Sequence, residues 1–449
     1  MNIRNYIGDE DFYKKVGRVA LPCALSQLLL SCRSIISSIM VSSIGMVTAV
    51  GNANNILYLH DYLLWGLEAG AALFGAQFFG AGQHKNMAKT QGIFLVFSLL
   101  NAGFWISVVF TLGDRLLLFY LNDAAILPYS WTYLKYVMVS CIFMCISQSY
   151  RCMYQAMHRT KLTFIFSLCY VFNNIFWDFM FIFVFRKGIA GAGMAVLVSE
   201  IITCAAMMIY THRTNPVFYL GLKEMFSFGA GFISPFLAKV LPIAFNETFF
   251  GFGQSLFNKA YGMLGTSSME AIYVGSEILS MALFVVWGYG EAVSILQGTL
   301  LGEGRIQQAK EESRYHLGLS FAVGLLLWLF MVVLSPAFLH LYSISDPLVY
   351  RSCRSLLAVY GFKAFLRVFT YIMFCTLKAG GDSKILSVLD SGIMYTVGIP
   401  IAFAGVYLGM KDIVLLVLLC QIEQVVRFFF TLKRYNSYKW ANNLTKLVN

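Results

Sequence analysis

The feature that most constrains this chain is the recurrence of apolar runs of about 20 residues along its whole length. A helix rises about 1.5 Å per residue, so each run is long enough to cross the roughly 30 Å hydrocarbon core of a bilayer. Only 12% of the 449 residues are charged, whereas soluble domains carry roughly 25%. A transmembrane barrel would need alternating segments of about ten residues instead. The sequence therefore predicts an all-α polytopic membrane protein.

We predict twelve transmembrane spans. No removable signal peptide is expected, because the segment before the first span mixes acids with bases and leads into a full-length apolar run. The ten cysteines have no CxxC or zinc-site spacing, which favours reduced, structural thiols. The predicted spans are 18–42, 53–75, 91–112, 132–155, 162–185, 190–210, 237–260, 271–297, 316–336, 355–377, 385–407 and 412–432.

The basic residues of the loops indicate the orientation in the membrane. With the N-terminus inside, nineteen lysines and arginines fall on the inner side and seven on the outer side. This bias follows the positive-inside rule and predicts that both termini are cytoplasmic. The net charge of +11 therefore reflects membrane topology, and no nucleic-acid partner is expected. The seven outer residues are Arg115, Arg186, Lys187, Lys259, Arg351, Arg354 and Lys411.

Landmarks that recur at a nearly constant offset indicate an internal repeat of six helices. An even number of spans returns the chain to its starting side, so both copies insert with the same orientation and form two pseudo-symmetric lobes around a cavity. We expect lobes at 1–210 and 237–449, the second with a short cytoplasmic tail, joined by a cytoplasmic connector at 211–236. The matched pairs are Pro22 with Pro242, Gly45 with Gly265, Trp65-Gly66 with Trp287-Gly288, and Gly80-Ala-Gly82 with Gly302-Glu-Gly304.

The Gly-x-Gly pairs lie where the second and eighth spans leave the membrane on the inner side. Glycine permits the tight turn required there. A phosphate-binding loop is the alternative, but the chain has neither the GxxxxGK[ST] motif nor a strand before it. We therefore predict a structural turn.

The order of these motifs resembles that of the multidrug and toxic compound extrusion family over essentially the whole chain. The resemblance implies twelve helices in two six-helix lobes. It also implies export of amphipathic, often cationic, compounds in exchange for inward H⁺ or Na⁺. The motifs are QFFGAG (77–82), NIFWD (174–178), GIAGAG (188–193), LPIAFNE (241–247), YGMLGT (261–266), LKAGGDSK (377–384) and GIP (398–400).

The chain departs from the family pattern at two positions. The first helix of family members usually has an aspartate eight residues before its terminal glycine, and Ser37 occupies that position here, with Arg33 one turn earlier. In the tenth helix, where some members have an acid, this chain has Arg367. A serine can donate a hydrogen bond but does not exchange a proton near neutral pH. These departures bear on ion coupling more than on the fold.

Three polar residues are the leading candidates for cation or proton coupling. Asp178 lies in the middle of the fifth predicted span, and Asn174 is one turn away on the same helix face. Glu247 follows Pro242 and matches the acid that the family has in its seventh helix. A charge within a membrane helix is costly and usually functional. The alternatives are structural ion pairs, of Asp178 with Arg33 and of Glu247 with Lys239.

Further charged residues inside the spans are candidates for the substrate cavity. Asp61 and Glu68 are seven residues apart and share a helix face, while Asp382 is expected to cap a helix. The basic residues have two readings, counter-ions for the acids or a cavity that favours an anionic or zwitterionic substrate. The candidate cavity residues are Arg33, Ser37, Asp61, Glu68, Glu277, Glu291, Arg367 and Asp390, with Arg151 and Lys363 as further cations at membrane depth.

These features favour a secondary active transporter of the plasma membrane, a cation-coupled antiporter that exports small organic compounds by alternating access. The alternative is a flippase of an amphiphilic or lipid-linked substrate without strict ion coupling. An enzyme is not expected, because HExxH and GxSxG motifs are absent. We expect no cofactor beyond the coupling H⁺ or Na⁺ and no bound metal. The expected partners are the lipid bilayer and a small-molecule substrate, with the protein itself a monomer.

Overall fold

The computed structural model describes residues 3–120, 125–333, 336, 337, 339 and 347–447. Across these residues the chain forms twelve long helical segments and no strand. A short helix, Leu222–Met225, lies between the sixth and seventh. The long segments are α1 (Glu10–Ser42), α2 (Val47–Gly80), α3 (His84–Tyr120), α4 (Leu127–Ala156), α5 (Thr160–Val184), α6 (Gly188–Thr214), α7 (Ala230–Gly262), α8 (Thr266–Gly302), α9 (Ile306–Val333), α10 (Pro347–Ala379), α11 (Ser383–Tyr407) and α12 (Ile413–Asn436).

The predicted all-α polytopic fold with twelve helices is confirmed. Within the described residues, ten of the segments are long and apolar enough to cross a membrane. The other two, α2 and α7, have the required length. Each predicted span overlaps one helix, and most helices extend beyond it because a helix does not have to end where the hydrocarbon does. Of the predicted ninth span, positions 334 and 335 lie outside the described residues.

Two of the helices contain wider π-helical turns. In α5 the turn Met180–Val184 directly follows Asp178. In α11 the turns Val388–Gly392 and Met394–Gly398 occupy the middle of the segment, and the first contains Asp390. Such turns are rare and are often found at functional sites. Both interrupt the helix next to a membrane-embedded aspartate.

The two Gly-x-Gly pairs form the predicted turns. The second glycine of each pair, Gly82 and Gly304, has a positive φ of 69° and 77° respectively. The pairs therefore end α2 and α8 in the same way, as expected for two copies of one unit.

The chain divides into two compact units that do not coincide with the two halves of the sequence. We call Leu25–Ala244 with Thr445–Asn449 the first-repeat unit, and Met1–Ala24 with Phe245–Leu444 the second-repeat unit. The division after Ala24 falls inside α1, and the division after Ala244 falls inside α7. Each of them follows closely on a proline within the helix, Pro22 or Pro242.

The first half of α1 packs in the second-repeat unit. Phe12, Val16 and Val19 are buried in one apolar cluster with residues of α8 and α10. Further along, Gly288 of α8 meets Ala24 so closely that a Cβ built on the glycine would lie 2.3 Å from the Cα of Ala24. Only glycine permits this approach of the two backbones.

The first half of α7 packs in the corresponding way in the first-repeat unit. The ring of Phe232 stacks on Phe78 with centroids 5.8 Å apart, and Phe236 lies 5.1 Å from Phe74. A Cβ built on Gly66 of α2 would lie 2.2 Å from the Cα of Ala244. The repeated Trp-Gly motif therefore has a packing explanation, since each glycine receives the opening helix of the other repeat.

The repeat continues beyond its sixth helix. Asn215, after α6, and Tyr438, after α12, both have a positive φ, of 40° and 52°. A few residues later each tail buries an aromatic side chain, Phe218 in the first-repeat unit and Trp440 in the second. The connector after α6 and the tail after α12 therefore share a residue with positive φ followed by a buried aromatic side chain.

We predict that Gly288→Ala lowers the stability of the protein, because the added methyl group overlaps the backbone of Ala24. Overpacking of this kind costs about 1–3 kcal/mol. Thermal unfolding of the detergent-solubilised protein measures the effect. The matched control is Gly103→Ala in α3, where an added Cβ meets nothing within 4 Å, so helix propensity should leave stability unchanged or slightly raised. Equal melting temperatures for the two variants would contradict the packing explanation.

Candidate functional site

In the first-repeat unit, two of the three leading candidates from the sequence, Asp178 and Asn174, lie together at the contact between α1 and α5. The Ser37 hydroxyl donates a hydrogen bond to Oδ2 of Asp178. The same hydroxyl lies 3.5 Å from Oδ1 of Asn174, and a terminal nitrogen of Arg33 donates to that oxygen at 3.1 Å. The structure thus places four predicted site residues in one hydrogen-bonded group, which we call the α1–α5 cluster.

Arg33 has a different hydrogen-bond partner from the one considered in the sequence analysis. Among the described residues no ion pair joins Arg33 to Asp178, because Arg33 is directed at Asn174, one turn before the acid. The guanidinium also lies over the ring of Tyr170, 5.5 Å from its centroid. Asp178 is only 2% exposed, so its carboxylate is held by a hydroxyl donor in a site closed to solvent.

A buried glutamate that was not predicted from the sequence lies next to this cluster. Glu200 of α6 is buried and interacts with the hydroxyl of Tyr170, whose ring faces Arg33. Its counterpart in the second-repeat unit is Glu423 of α12, which is also buried and follows Glu200 by close to the spacing of the repeat. Both glutamates could have been recognised from the sequence, because each lies inside an apolar run and the two are separated by close to the repeat spacing.

The two acids of α2 have separate partners. Glu68 accepts hydrogen bonds from Arg151 at 3.1 Å and from Gln148 at 3.3 Å, both on α4. Asp61 lies 2.9 Å from Nδ1 of the buried His60, its neighbour in the chain. The structure therefore confirms the counter-ion reading for Arg151 and ties α2 to α4.

In the second-repeat unit, Asp390 is the centre of a buried charged cluster. Its Oδ1 is bound by Arg367 of α10 at 3.3 Å and by Arg427 of α12 at 3.5 Å. Its Oδ2 accepts a hydrogen bond from Asn246 of α7 at 3.2 Å. Four helices thus meet at this carboxylate, and together with Glu423 these residues form what we call the Asp390 cluster.

Arg427 holds the Asp390 cluster together. Its side chain is 1% exposed, and it donates to the carboxylate of Glu423 one turn earlier on α12. It also donates to the backbone carbonyl of Asp390 at 3.0 Å. An arginine suits this role because its planar guanidinium carries five donors. Arg427 was not among the residues predicted from the sequence.

The remaining candidate acids of this unit are less enclosed. Glu247 is 31% exposed and forms an ion pair of 3.6 Å with Lys378 of α10, a partner that was not predicted from the sequence. Glu291 of α8 is half-buried. Both Glu291 and Glu247 interact electrostatically with Tyr371 of α10. Glu277 lies exposed on α8.

The predicted cap at Asp382 differs in detail. Asp382 occupies the position before α11, but its carboxylate makes no capping hydrogen bond. It binds Arg434 of α12 instead, with one of the two contacts at 2.9 Å. Ion pairing with a guanidinium has replaced capping because α12 passes within reach of this turn.

Comparison with known proteins bears out the repeat and gives the family. The MatE family model matches the chain twice, over residues 22–180 and 242–404. The chain belongs to the MatE family, that of multidrug and toxic compound extrusion. The two matches begin at Pro22 and Pro242, the same pair of prolines that indicates the repeat in the sequence. Members of this family are membrane transporters and not enzymes.

Several relatives share most of the length of this MatE protein. It is 21% identical over 373 residues to an uncharacterized transporter, YisQ, of Bacillus subtilis, covering 81% of this chain and 80% of YisQ. It is 26% identical over 346 residues to NorM of Haemophilus ducreyi, described as a probable multidrug resistance protein, covering 72% of each chain.

Solved structures of the same architecture match almost the entire chain. One is a transporter of the MOP superfamily from Pyrococcus furiosus, described as having a binding pocket of reverse polarity. Another is a multidrug resistance MATE family transporter in an outward-facing conformation. Each aligns with a TM-score of 0.87 at 16% identity and covers 97% of this chain and 98% of its own. At this identity the match establishes the fold.

We predict that Arg427→Leu strongly destabilises the protein, because it leaves two buried carboxylates without their shared counter-ion. Breaking a buried ion pair in this way costs about 3–5 kcal/mol. The matched control is Arg305→Leu, which removes an ion pair with Glu303 from an exposed arginine and should cost less than about 1 kcal/mol. Thermal unfolding in detergent compares the two. Equal losses would show that the Asp390 cluster is not a structural centre.

Proposed function

We propose that this MatE protein is a secondary antiporter that exports small amphipathic organic compounds, many of them cationic, in exchange for inward protons. The family and the multidrug resistance described for NorM support the export of organic compounds. We place the protein in the plasma membrane as a monomer with both termini cytoplasmic, in line with the distribution of basic residues. No cofactor is needed, because an ion gradient supplies the energy.

The observation that carries the proposal is the position of Asp178. Its carboxylate lies in the membrane-embedded part of α5, is closed to solvent and accepts a hydrogen bond from Ser37. No arginine forms an ion pair with it among the described residues. A carboxylate in such a place is free to bind a proton, whereas one paired with a guanidinium would stay ionised.

The contacts of Asn174 favour a proton over Na⁺ as the coupling ion. A sodium site needs several oxygen ligands around one ion, and Asn174 Oδ1 already accepts a hydrogen bond from Arg33. The guanidinium would have to leave before a metal cation approached. A proton requires only one oxygen of Asp178, so it binds without displacing Arg33.

Protonation of Asp178 changes the contact between α5 and α1. The ionised carboxylate is a charged acceptor for the Ser37 hydroxyl, and protonation removes that charge, so the hydrogen bond with Ser37 weakens. Because α1 contributes its first half to the second-repeat unit and its second half to the first-repeat unit, a change at Ser37 acts on a helix shared by both. This is the route by which we propose that a proton biases alternating access.

Glu247 is the second acid to which we assign a role in coupling. It is more exposed than Asp178, and Lys378 is its partner in the present conformation. A cationic substrate or a proton would compete with that lysine for the carboxylate. One charge moving inward through 100 mV supplies roughly 2.3 kcal/mol, enough for about a fiftyfold substrate gradient.

We predict that Asp178→Asn abolishes transport driven by a pH gradient, because asparagine cannot bind the proton. Uptake of a fluorescent organic cation into proteoliposomes with an imposed pH gradient is expected to fall at least tenfold, while binding of the dye in detergent is retained. The matched control is Asp412→Asn, which removes an acid that caps α12 outside the membrane. Asparagine caps a helix as well as aspartate does, so this variant should transport at the wild-type rate. Gradient-driven uptake that survives Asp178→Asn would rule out the assignment.

The second candidate function is a translocator of an amphiphile without strict ion coupling. The α1–α5 cluster favours it in one respect, because Ser37 stands where the family usually has an acid and Arg33 supplies a fixed positive charge. The related Pyrococcus furiosus protein with reverse pocket polarity is described as suggesting a different function. Transport by the wild type that an ionophore leaves unchanged would favour this candidate over the antiporter.

A further inference from the structure

The middle of α10 carries two cations on one face. Lys363 and Arg367 are four residues apart, so their side chains are neighbours along the helix. Both lie near the acids of the Asp390 cluster. Arg367 forms an ion pair with Asp390. Lys363 interacts electrostatically with Glu423 and with Arg427. The Asp390 cluster thus contains two arginines, Arg367 and Arg427, and Lys363 lies next to it.

The group formed by the Asp390 cluster and Lys363 contains more cations than acids. The cations Lys363, Arg367 and Arg427 outnumber the acids Asp390 and Glu423 by one. Both oxygens of Asp390 are occupied, and Glu423 is bound by Arg427. Among the residues that the structure describes, no carboxylate forms an ion pair with Lys363. Its ammonium group lies instead 5.7 Å from the centroid of the Tyr360 ring.

Arg367 also has donors to spare. One terminal nitrogen binds Asp390, and a guanidinium carries five N–H donors. The Cζ atom of Arg367 lies 5.3 Å from the ring centroid of Phe250 and 6.0 Å from that of Tyr371. The remaining donors of Arg367 and the ammonium of Lys363 are thus set among aromatic rings, which suit the apolar body of an organic molecule.

We propose that Lys363 and Arg367 bind the anionic group, a carboxylate or a phosphate, of the transported molecule. An unpaired cation is costly in the middle of a membrane helix, and an anionic ligand offsets that cost. Asp390 is a positioning residue, which fixes Arg367. Glu247, whose charge reaches Tyr371 next to Arg367, offers the opposite charge nearby. The substrates are therefore zwitterionic amphiphiles. This substrate class rests on the transport function proposed above.

The experiment compares two dyes that differ only in the anionic group. Rhodamine B is a zwitterion at neutral pH, and its ethyl ester is a cation without the carboxylate. Fluorescence anisotropy with the purified full-length protein in detergent gives the affinity for each. We expect the wild type to bind the acid at least tenfold more tightly than the ester. Lys363→Met should reduce this ratio to near one without weakening the ester, and Lys363→Arg should restore it.

The matched control is Lys135→Met in α4, a lysine whose ammonium lies 5.4 Å from the Tyr136 ring in a similar cation–π arrangement. It should keep the wild-type ratio. The proposal is overturned if the wild type binds rhodamine B no better than its ethyl ester, or if it binds neither dye. It is also overturned if Lys363→Met leaves the affinity ratio unchanged. Binding with the expected ratio but without gradient-driven uptake in proteoliposomes refutes the proposed antiport and leaves the site intact.

A lipid phosphate would present the same chemistry as a soluble substrate. Adding phosphatidylglycerol or neutral phosphatidylcholine to the detergent separates the two sources. Competition by phosphatidylglycerol alone identifies a lipid headgroup as the natural ligand of Lys363 and Arg367. The absence of competition identifies the anionic group of a small solute. Either result supports the site if the dye ratio depends on Lys363.

Discussion

The structure depends on the cost of placing charged groups where there is no water. A carboxylate or guanidinium in the hydrocarbon region must be paired or hydrogen-bonded, or the helix that carries it is unstable there. This MatE protein gathers these groups into clusters within its two repeats. The α1–α5 cluster and the Asp390 cluster each join helices distant in sequence, so the same residues that bear on transport also organise the packing.

The two clusters solve the problem in different ways. In the Asp390 cluster both acids are bound by arginine, and Arg427 is almost fully buried between them. In the α1–α5 cluster the arginine is directed at an amide, and the acid is left with a serine. The first arrangement gives each acid an arginine partner, and the second gives Asp178 a serine donor and, among the described residues, no arginine ion pair. This asymmetry between repeats of one origin is the basis for assigning coupling to the first and anion binding to the second.

Much of the fold was predictable from the sequence because its physical signals are local or periodic. The length of the apolar runs gave the twelve helices, and landmarks such as Trp65-Gly66 and Trp287-Gly288 gave the repeat. Asp178, Asn174 and Ser37 were recognised because polar residues inside apolar runs are conspicuous and because they match family motifs. The packing of those glycines on Ala24 and Ala244 could not be read from the sequence, since it depends on which helices meet.

The partners of the charged residues were the least predictable part. Arg33 binds Asn174, which is far from it in the chain, and Glu247 pairs with Lys378, a partner that was not considered from the sequence. Such choices depend on helix rotation and on differences of about a turn in depth, which apolar periodicity does not determine. Glu200, Glu423 and Arg427 were missed because each lies in a run whose average hydropathy is high enough to hide one or two charges.

The central claim is that Asp178 exchanges a proton as the transported molecule binds. Thermodynamic linkage requires that a ligand which competes with a proton releases that proton on binding. The most direct measurement is the change in pH when rhodamine B is added to the purified protein in a weakly buffered detergent solution containing an indicator dye. We predict that the wild type releases about one proton per protein molecule and that Asp178→Asn releases none. Dye binding without proton release by the wild type, or equal release by both proteins, would contradict it.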